Sequence, residues 1–226
     1  QSVSIFRQHV DKVVSVPTKI KTTDKRRLRG EQSRRTIMTA LIDCIASRGL
    51  RNTTLDTVAE RAKVSRSLVV FHFKSKNKMH IDLLNYLGAQ FGAGWDAVLA
   101  NGHGTPGERL LKLLEFDVGF ASQHPKFLAV WFAFWGQAKG STLYHEVGFP
   151  RDRRYKQDVR DLLQELVKAG ANDHVDVPAL NKGIEAMLFG LWLDAHLHPS
   201  PDHHAVGMRA IKAYLSTLFP GQFTTD

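Results

Sequence analysis

Apolar residues recur at intervals of three and four along nearly the whole chain, and no alternating apolar and polar run long enough for a strand interrupts them. From Ser33 the series Ile37, Ala40, Leu41, Cys44, Ile45 and Arg48 predicts an amphipathic helix, with Ser33 as its cap and Gly49 as its stop. Thr54 then stands as an N-cap ahead of Leu55, Val58, Ala59 and Ala62. After a brief turn at Lys63 and Val64, Ser65 caps a further helix that runs to about Phe73. Two short helices joined so tightly make a helix-turn-helix, whose second helix is the one expected in a DNA major groove. Beyond it the same periodicity predicts helices over residues 78–100, 106–123, 125–137, 150–169, 178–196 and 202–219, four of them beginning at or near a proline, which suits a first helical turn. The expected fold is all-α. A flexible basic arm over residues 1–30 precedes a three-helix helix-turn-helix domain over 31–78, and a larger helical ligand-binding and dimerisation domain fills 79–226.

Charge sharpens this division. Of 226 residues, 31 are Lys or Arg and 22 Asp or Glu, a net charge of +9. Residues 1–80 hold 18 of the bases and 6 of the acids, so the body that follows is mildly acidic. A basic segment on a separate scaffold suggests a polyanion-binding module, because Lys and Arg gain affinity for phosphates by displacing condensed counterions. On charge alone a membrane surface, or a solvated basic face without a partner, would serve as well. The 43% hydrophobic content supports a sizeable core, while no uncharged stretch exceeds 13 residues, short of the roughly 18–20 needed to span a bilayer. No apolar secretory core is present, and Cys44, alone, makes no internal disulfide, so a cytoplasmic home is expected.

Catalytic and metal chemistry find little to build on. No phosphate-binding glycine loop opens a helix after a strand and no nucleophile motif is present, which argues against an enzyme and against a cofactor. His196, His198, His203 and His204 are interrupted by Pro199 and Pro201 without a completing Cys or well-spaced carboxylate, the pattern of a solvated loop more than of a metal site. Cys44 lies on the apolar side of its helix and reads as core.

The string from Thr54 through Val58, Ala59, Ala62, Val64, Ser65, His72 and Phe73 to Lys76 resembles the DNA-binding domain of TetR-family repressors, with departures at Lys63 and Ser67, where the family usually has Gly, and at Val70, where it usually has Tyr. Lys63 in particular requires a backbone position that tolerates a side chain, or a strained one. The resemblance implies a dimer on a palindromic double-stranded DNA operator. On a helix starting at Ser65, Val69 and Phe73 point to the core, which leaves Arg66, Ser67, Leu68, Val70, Phe71 and His72 for the groove. Arg66 leads as base reader, since a guanidinium can bond guanine O6 and N7 together, whereas Leu68 and Val70 can only touch a thymine methyl. Thr54, His72, Lys74 and Lys76 suit phosphates. Packing against the first helix is the plain alternative for Leu68, Val70 and Phe71. Leu162, Leu163, Leu166, Met187, Leu188 and Leu191 offer apolar dimer contacts, or close the subunit's own core.

In the second domain, residues 116–149 contain nine aromatics in 34 positions, where the chain average of 21 in 226 gives about three. Trp131 to Trp135, Leu143 and Tyr144, the helix from Arg151 and the Gly190–Leu193 segment resemble the C-terminal domain of BetI-type repressors, TetR proteins that control choline and glycine betaine metabolism. That resemblance implies an effector site among Phe116, Phe120, Trp131, Phe134, Trp135, Tyr144 and Trp192, with Asp194 or Glu115 to neutralise a cation. Aromatic cages bind quaternary ammonium through cation–π attraction. A neutral hydrophobic effector, or ordinary aromatic core, is the competing reading of the same rings. From other classes, a nonspecific DNA-coating protein would rest on the basic arm alone, and a small-molecule enzyme would show turnover.

Overall fold

A computed structural model of the chain describes residues 22–137, 146–170 and 174–223, and these form nine helices and no strands. Helix α1 spans Thr22–Arg48, α2 Leu55–Ala62, α3 Arg66–Phe73, α4 Lys76–Ala100, α5 Pro106–Gln123, α6 Pro125–Trp135, α7 Phe149–Ala169, α8 Val177–Leu197 and α9 His203–Leu218. No described helix is long and apolar enough to cross a membrane.

The expected caps are in place. Thr54 Oγ1 accepts from the Thr57 amide at 3.2 Å while Thr57 Oγ1 accepts from the Thr54 amide at 2.9 Å, and Ser65 Oγ accepts from the Leu68 amide at 3.2 Å. Gly49, with φ +77°, ends α1. One boundary differs: α1 begins at Thr22, not Ser33, and Ser33 sits inside the helix with its hydroxyl donating to the Gly30 carbonyl. No proline breaks residues 22–33, and Arg27 pairs with Glu31 one turn on, so the basic segment can continue the helix over part of the expected arm. Residues 1–21 lie outside those described.

Two units are separable, residues 1–36 and 37–226. Within the second, Ile37, Leu41, Cys44 and Ile45 of α1 pack with Val58, Val69 and Phe73 as the core of the helix-turn-helix. Burial pushes the Cys44 thiol up in pKa, as befits a core residue. Helix α5 is the hub of the larger domain: α4, α6, α7, α8 and α9 all pack on it. Side chains of α7 reach over α4 at two glycines: a Cβ at Gly88 would fall within the Arg151 guanidinium and one at Gly92 would press on the Tyr155 hydroxyl, so each side chain would have to shift. Leu162, Leu163 and Leu166 are buried in this core, where they help to close the subunit's own fold. The exposed apolar side chains lie elsewhere, with Phe189, Leu193 and Leu197 four apart along α8 and Val206 on α9. His203 also departs from its expected solvated loop. As the first residue of α9 it is 6% exposed, its Nδ1 lying 3.3 Å from Asp194 Oδ2.

Lys63, where the resembling family usually has glycine, closes α2 in the left-handed conformation at φ 55°, ψ 43°. A side chain there costs about 1–2 kcal/mol, part of which glycine's greater unfolded-state entropy offsets. Lys63→Gly is therefore expected to stabilise the fold by about 0.5–1 kcal/mol in denaturant unfolding. A loss of stability would show that Lys63 makes a compensating contact.

Candidate functional site

The outer face of the helix-turn-helix is set by which side chains its core consumes. Val69 and Phe73 are fully buried, and Leu68 is partly so, packed on the core. Thr54, Ser65, Arg66, Ser67, Phe71 and Lys74 are exposed, with Val70, His72 and Lys76 intermediate. Phe71 is 66% exposed, its ring under Lys74 Nζ at 5.5 Å and edge-on to His72. An aromatic held so far out of the core is not packed against α1. Lys76 Nζ donates to the Arg51 carbonyl at 3.3 Å, and Arg66 Nε lies 2.9 Å from Asp56 Oδ1. The face carries cations, hydroxyls and one projecting ring, a set that can meet phosphates and base edges.

The second feature is a cavity of about 540 Å³ in the larger domain, bounded by α4, α5, α6, α7 and α8. Its aromatic wall centres on Phe91, whose ring centroid lies 5.6 Å from Trp95, 5.0 Å from Tyr155, 6.2 Å from Trp131 and 5.8 Å from Trp192. All four tryptophans of the chain line it. Asp117, 8% exposed, opens onto the cavity and accepts the Trp192 indole N–H at 2.6 Å. Burial pushes this carboxyl up to about 7, against the opposing pull of that hydrogen bond. Burial likewise pushes the Tyr155 phenol up to about 12. At the other end Glu185 is held by Lys156 and by Lys182 at 3.1 Å, forming a charged rim.

Of the eight side chains expected at an effector site, Trp131, Trp135 and Trp192 line the cavity. Phe116 and Phe120 stand behind the wall, 5.3 and 5.1 Å from Phe91. Phe134 is core, 2% exposed, with His80 edge-on at 5.6 Å. Asp194 faces out, accepting from His198 Nδ1 at 3.0 Å, because its position on α8 is turned away from Trp192. Tyr144 lies outside the described residues. Sequence reading missed Phe91, Trp95, Tyr155 and Asp117. A signal for the last existed: Asp117 occupies the core register of α5, with Leu110, Leu113, Leu114, Val118 and Ala121, where a carboxylate needs a reason. No group of three or more metal-binding side chains is found among the described residues.

Helix α6 touches both features. Trp131 and Trp135 face the cavity, while Lys126 Nζ donates at 2.6 Å to Asp43 of α1, which also accepts from Arg61 of α2 at 2.8 Å. The two cations hold the Asp43 carboxyl below its usual range.

Two family models match the chain: bacterial regulatory proteins, tetR family, over residues 37–82, and BetI-type transcriptional repressor, C-terminal, over residues 106–220. The HTH-type transcriptional regulator BetI of Pectobacterium atrosepticum is 25% identical over 161 residues, 71% of this chain and 80% of that protein. A transcriptional regulator from Saccharomonospora viridis, solved in complex with choline, superposes with a TM-score of 0.69 at 18% identity, covering 82% of this chain and 96% of that one. The ketosteroid transcriptional regulator KstR2 of Mycobacterium tuberculosis gives 0.66 at 19%, covering 87% and 95%. At these identities the two structures speak for the fold alone.

The Asp117 carboxyl, raised from 3.8 to about 7, gives a testable sign. Between these values the folded chain holds a proton that the unfolded chain has lost, so its contribution to stability is full below pH 4 and falls as pH rises through 7. The ligand-free Asp117→Asn protein should gain about 2 kcal/mol relative to wild type between pH 5 and pH 7. A difference independent of pH would place an ordinary carboxyl at this position.

Proposed function

This chain belongs to the TetR family of bacterial regulatory proteins and carries a BetI-type C-terminal domain, so it is a transcriptional regulator and not an enzyme; from that footing we propose that it is a homodimeric repressor whose effector is a quaternary amine of the choline type. The observation that carries the effector is Asp117, a carboxylate set among aromatic rings at the inner wall of the cavity. A permanent cation there neutralises the carboxylate, while the faces of Trp131, Trp192 and Phe91 replace part of its hydration through cation–π attraction. The two fold neighbours are named for different ligands, choline and a ketosteroid, so the fold does not choose between them. The buried acid favours the cation, because a cation meets the ionised carboxylate, whereas a neutral apolar ligand only keeps the group protonated.

For the DNA, the proposed reader is α3, with Arg66, Ser67, Val70 and Phe71 toward bases and Thr54, His72, Lys74 and Lys76 toward phosphates. Leu68 contributes its outer edge only. One helix-turn-helix reads few base pairs, so a two-fold dimer on a palindrome supplies specificity. The exposed Phe189, Leu193, Leu197 and Val206 are the proposed dimer face, covered by the same residues of a second copy. Such a regulator would act in the cytoplasm, on the chromosome.

Effector binding would act through α6, whose tryptophans touch the cavity and whose Lys126 grips Asp43. A shift of this helix would change the spacing of the two reading heads and lower operator affinity, with a coupling of about 1–3 kcal/mol. The ligand must favour one spacing over the other, since equal affinity for both would relieve nothing.

Titration with choline should quench the tryptophan emission saturably, because every tryptophan lines the cavity. Choline does not titrate, so its pH dependence reports Asp117: Kd is expected to be about tenfold higher at pH 6 than at pH 8, and to lose that dependence in Asp117→Asn. A flat emission response, or quenching by neutral steroids instead, would overturn the quaternary-amine reading and leave the family assignment intact.

A further inference from the structure

The second carboxylate that matters lies on the DNA-facing side. Residues 51–78 carry seven Lys or Arg and two acids, and one of those acids, Asp56, sits in the first turn of α2 with its side chain 68% exposed. A negative charge on a surface meant for phosphates weakens binding to any DNA, so its presence asks for a compensating role. Its partner is informative. Asp56 Oδ1 lies 2.9 Å from Nε of Arg66, the first residue of α3, and the Arg66 side chain is itself 62% exposed. An exposed ion pair of this kind adds little to stability. What it changes is orientation.

We propose that Asp56 is a positioning residue for base recognition: its charge, beside Arg66 Nε, draws the guanidinium toward the start of α3 and leaves the two terminal nitrogens, Nη1 and Nη2, to reach guanine O6 and N7. An arginine has five N–H groups in one plane, and with the carboxylate beside Nε the four on Nη1 and Nη2 are open to the base. Biasing the side chain toward this pose before DNA arrives removes part of the side-chain entropy that would otherwise be lost on binding. The geometry also fits the place of Arg66 in the fold, since the N-terminal residues of a recognition helix are the ones that reach base edges. Ser65 Oγ, bonded to the Leu68 amide and 2.9 Å from Ser67 Oγ, fixes the same helix start. This inference rests on the operator-binding reading above and refines it.

The two roles open to Asp56 predict opposite results. As a mere surface charge, Asp56→Asn would tighten binding to operator and random DNA equally. As a positioning residue, it tightens random DNA but lowers the ratio of operator to random affinity by about threefold, within what an exposed ion pair can supply and part of the discrimination expected of one Arg–guanine pair. Sequences selected from a randomised duplex library by wild-type protein, Asp56→Asn, Arg66→Ala and the double variant, with Kd values measured at one salt concentration, separate them. The expected outcome is a guanine fixed in the wild-type consensus, flattened at that position by either single variant, with the double variant no less selective than Arg66→Ala. An unchanged guanine preference in Asp56→Asn, or additive losses in the double variant, would overturn the positioning role alone. Failure of the wild-type protein to select any consensus would overturn the operator reading and this inference together.

Discussion

A carboxylate enclosed by aromatic rings, with its Oδ1 accepting the Trp192 indole N–H at 2.6 Å, is costly to ionise and equally costly to move, and the larger domain is arranged around that fact. Asp117 sits on α5, the helix on which α4, α6, α7, α8 and α9 all pack. Its neighbours in register are leucines and valine, whose burial holds the helix, and with it the acid, at the cavity wall. The tryptophan bond lowers the cost of charge without cancelling it, and the carboxyl remains near 7. A site in this condition gains more from a cation than a solvated carboxylate would, because binding relieves a burden already present in the free protein.

The same helix packing connects the cavity to the reading head. Helix α6 is short, 11 residues, and nearly all its side chains are apolar. Its contacts with α4 and α1 are of two kinds. Phe127 and Phe134 meet Tyr86 and His80 of α4 through ring edges, and Lys126 meets Asp43 of α1 through charge. His80 is 8% exposed, and burial holds its imidazole near pKa 4, so this seam stays neutral through the physiological range. The ion pair at its end is half in water and weak on its own. A coupling of the modest size typical of ligand linkage needs no stronger connection.

Much of this was legible in the chain because the relevant signals are local. Thr54, Ser65 and Gly49 declare helix ends through short-range bonds and a positive φ, and three- and four-residue spacing declares the buried faces. Pro106 and Pro125 fix the starts of α5 and α6 to the residue. The cavity was legible only in part. Trp131 and Trp135 stood out by local composition and Trp192 by the family resemblance, but which rings enclose a space and which fill it depends on how five helices meet. Phe134 fell on the far side of α6, against His80, and Asp194 turned toward the histidines of the α8–α9 corner. Phe91, Trp95 and Tyr155 escaped notice because α4 and α7 approach the site through Gly88 and Gly92, a contact between residues some 60 positions apart. The pairing of Asp56 with Arg66 crosses the helix-turn-helix corner, and only its geometry gives it meaning.

The most direct test of the account is the titration of Asp117 itself. Carbon-detected NMR of the side-chain carboxyl, assigned by its loss in Asp117→Asn, follows ionisation with and without saturating choline. The account predicts a midpoint near pH 7 in the free protein and a clear downward shift when the cation is bound. A midpoint that choline leaves unmoved would contradict it, because the carboxylate would then take no part in holding the ligand.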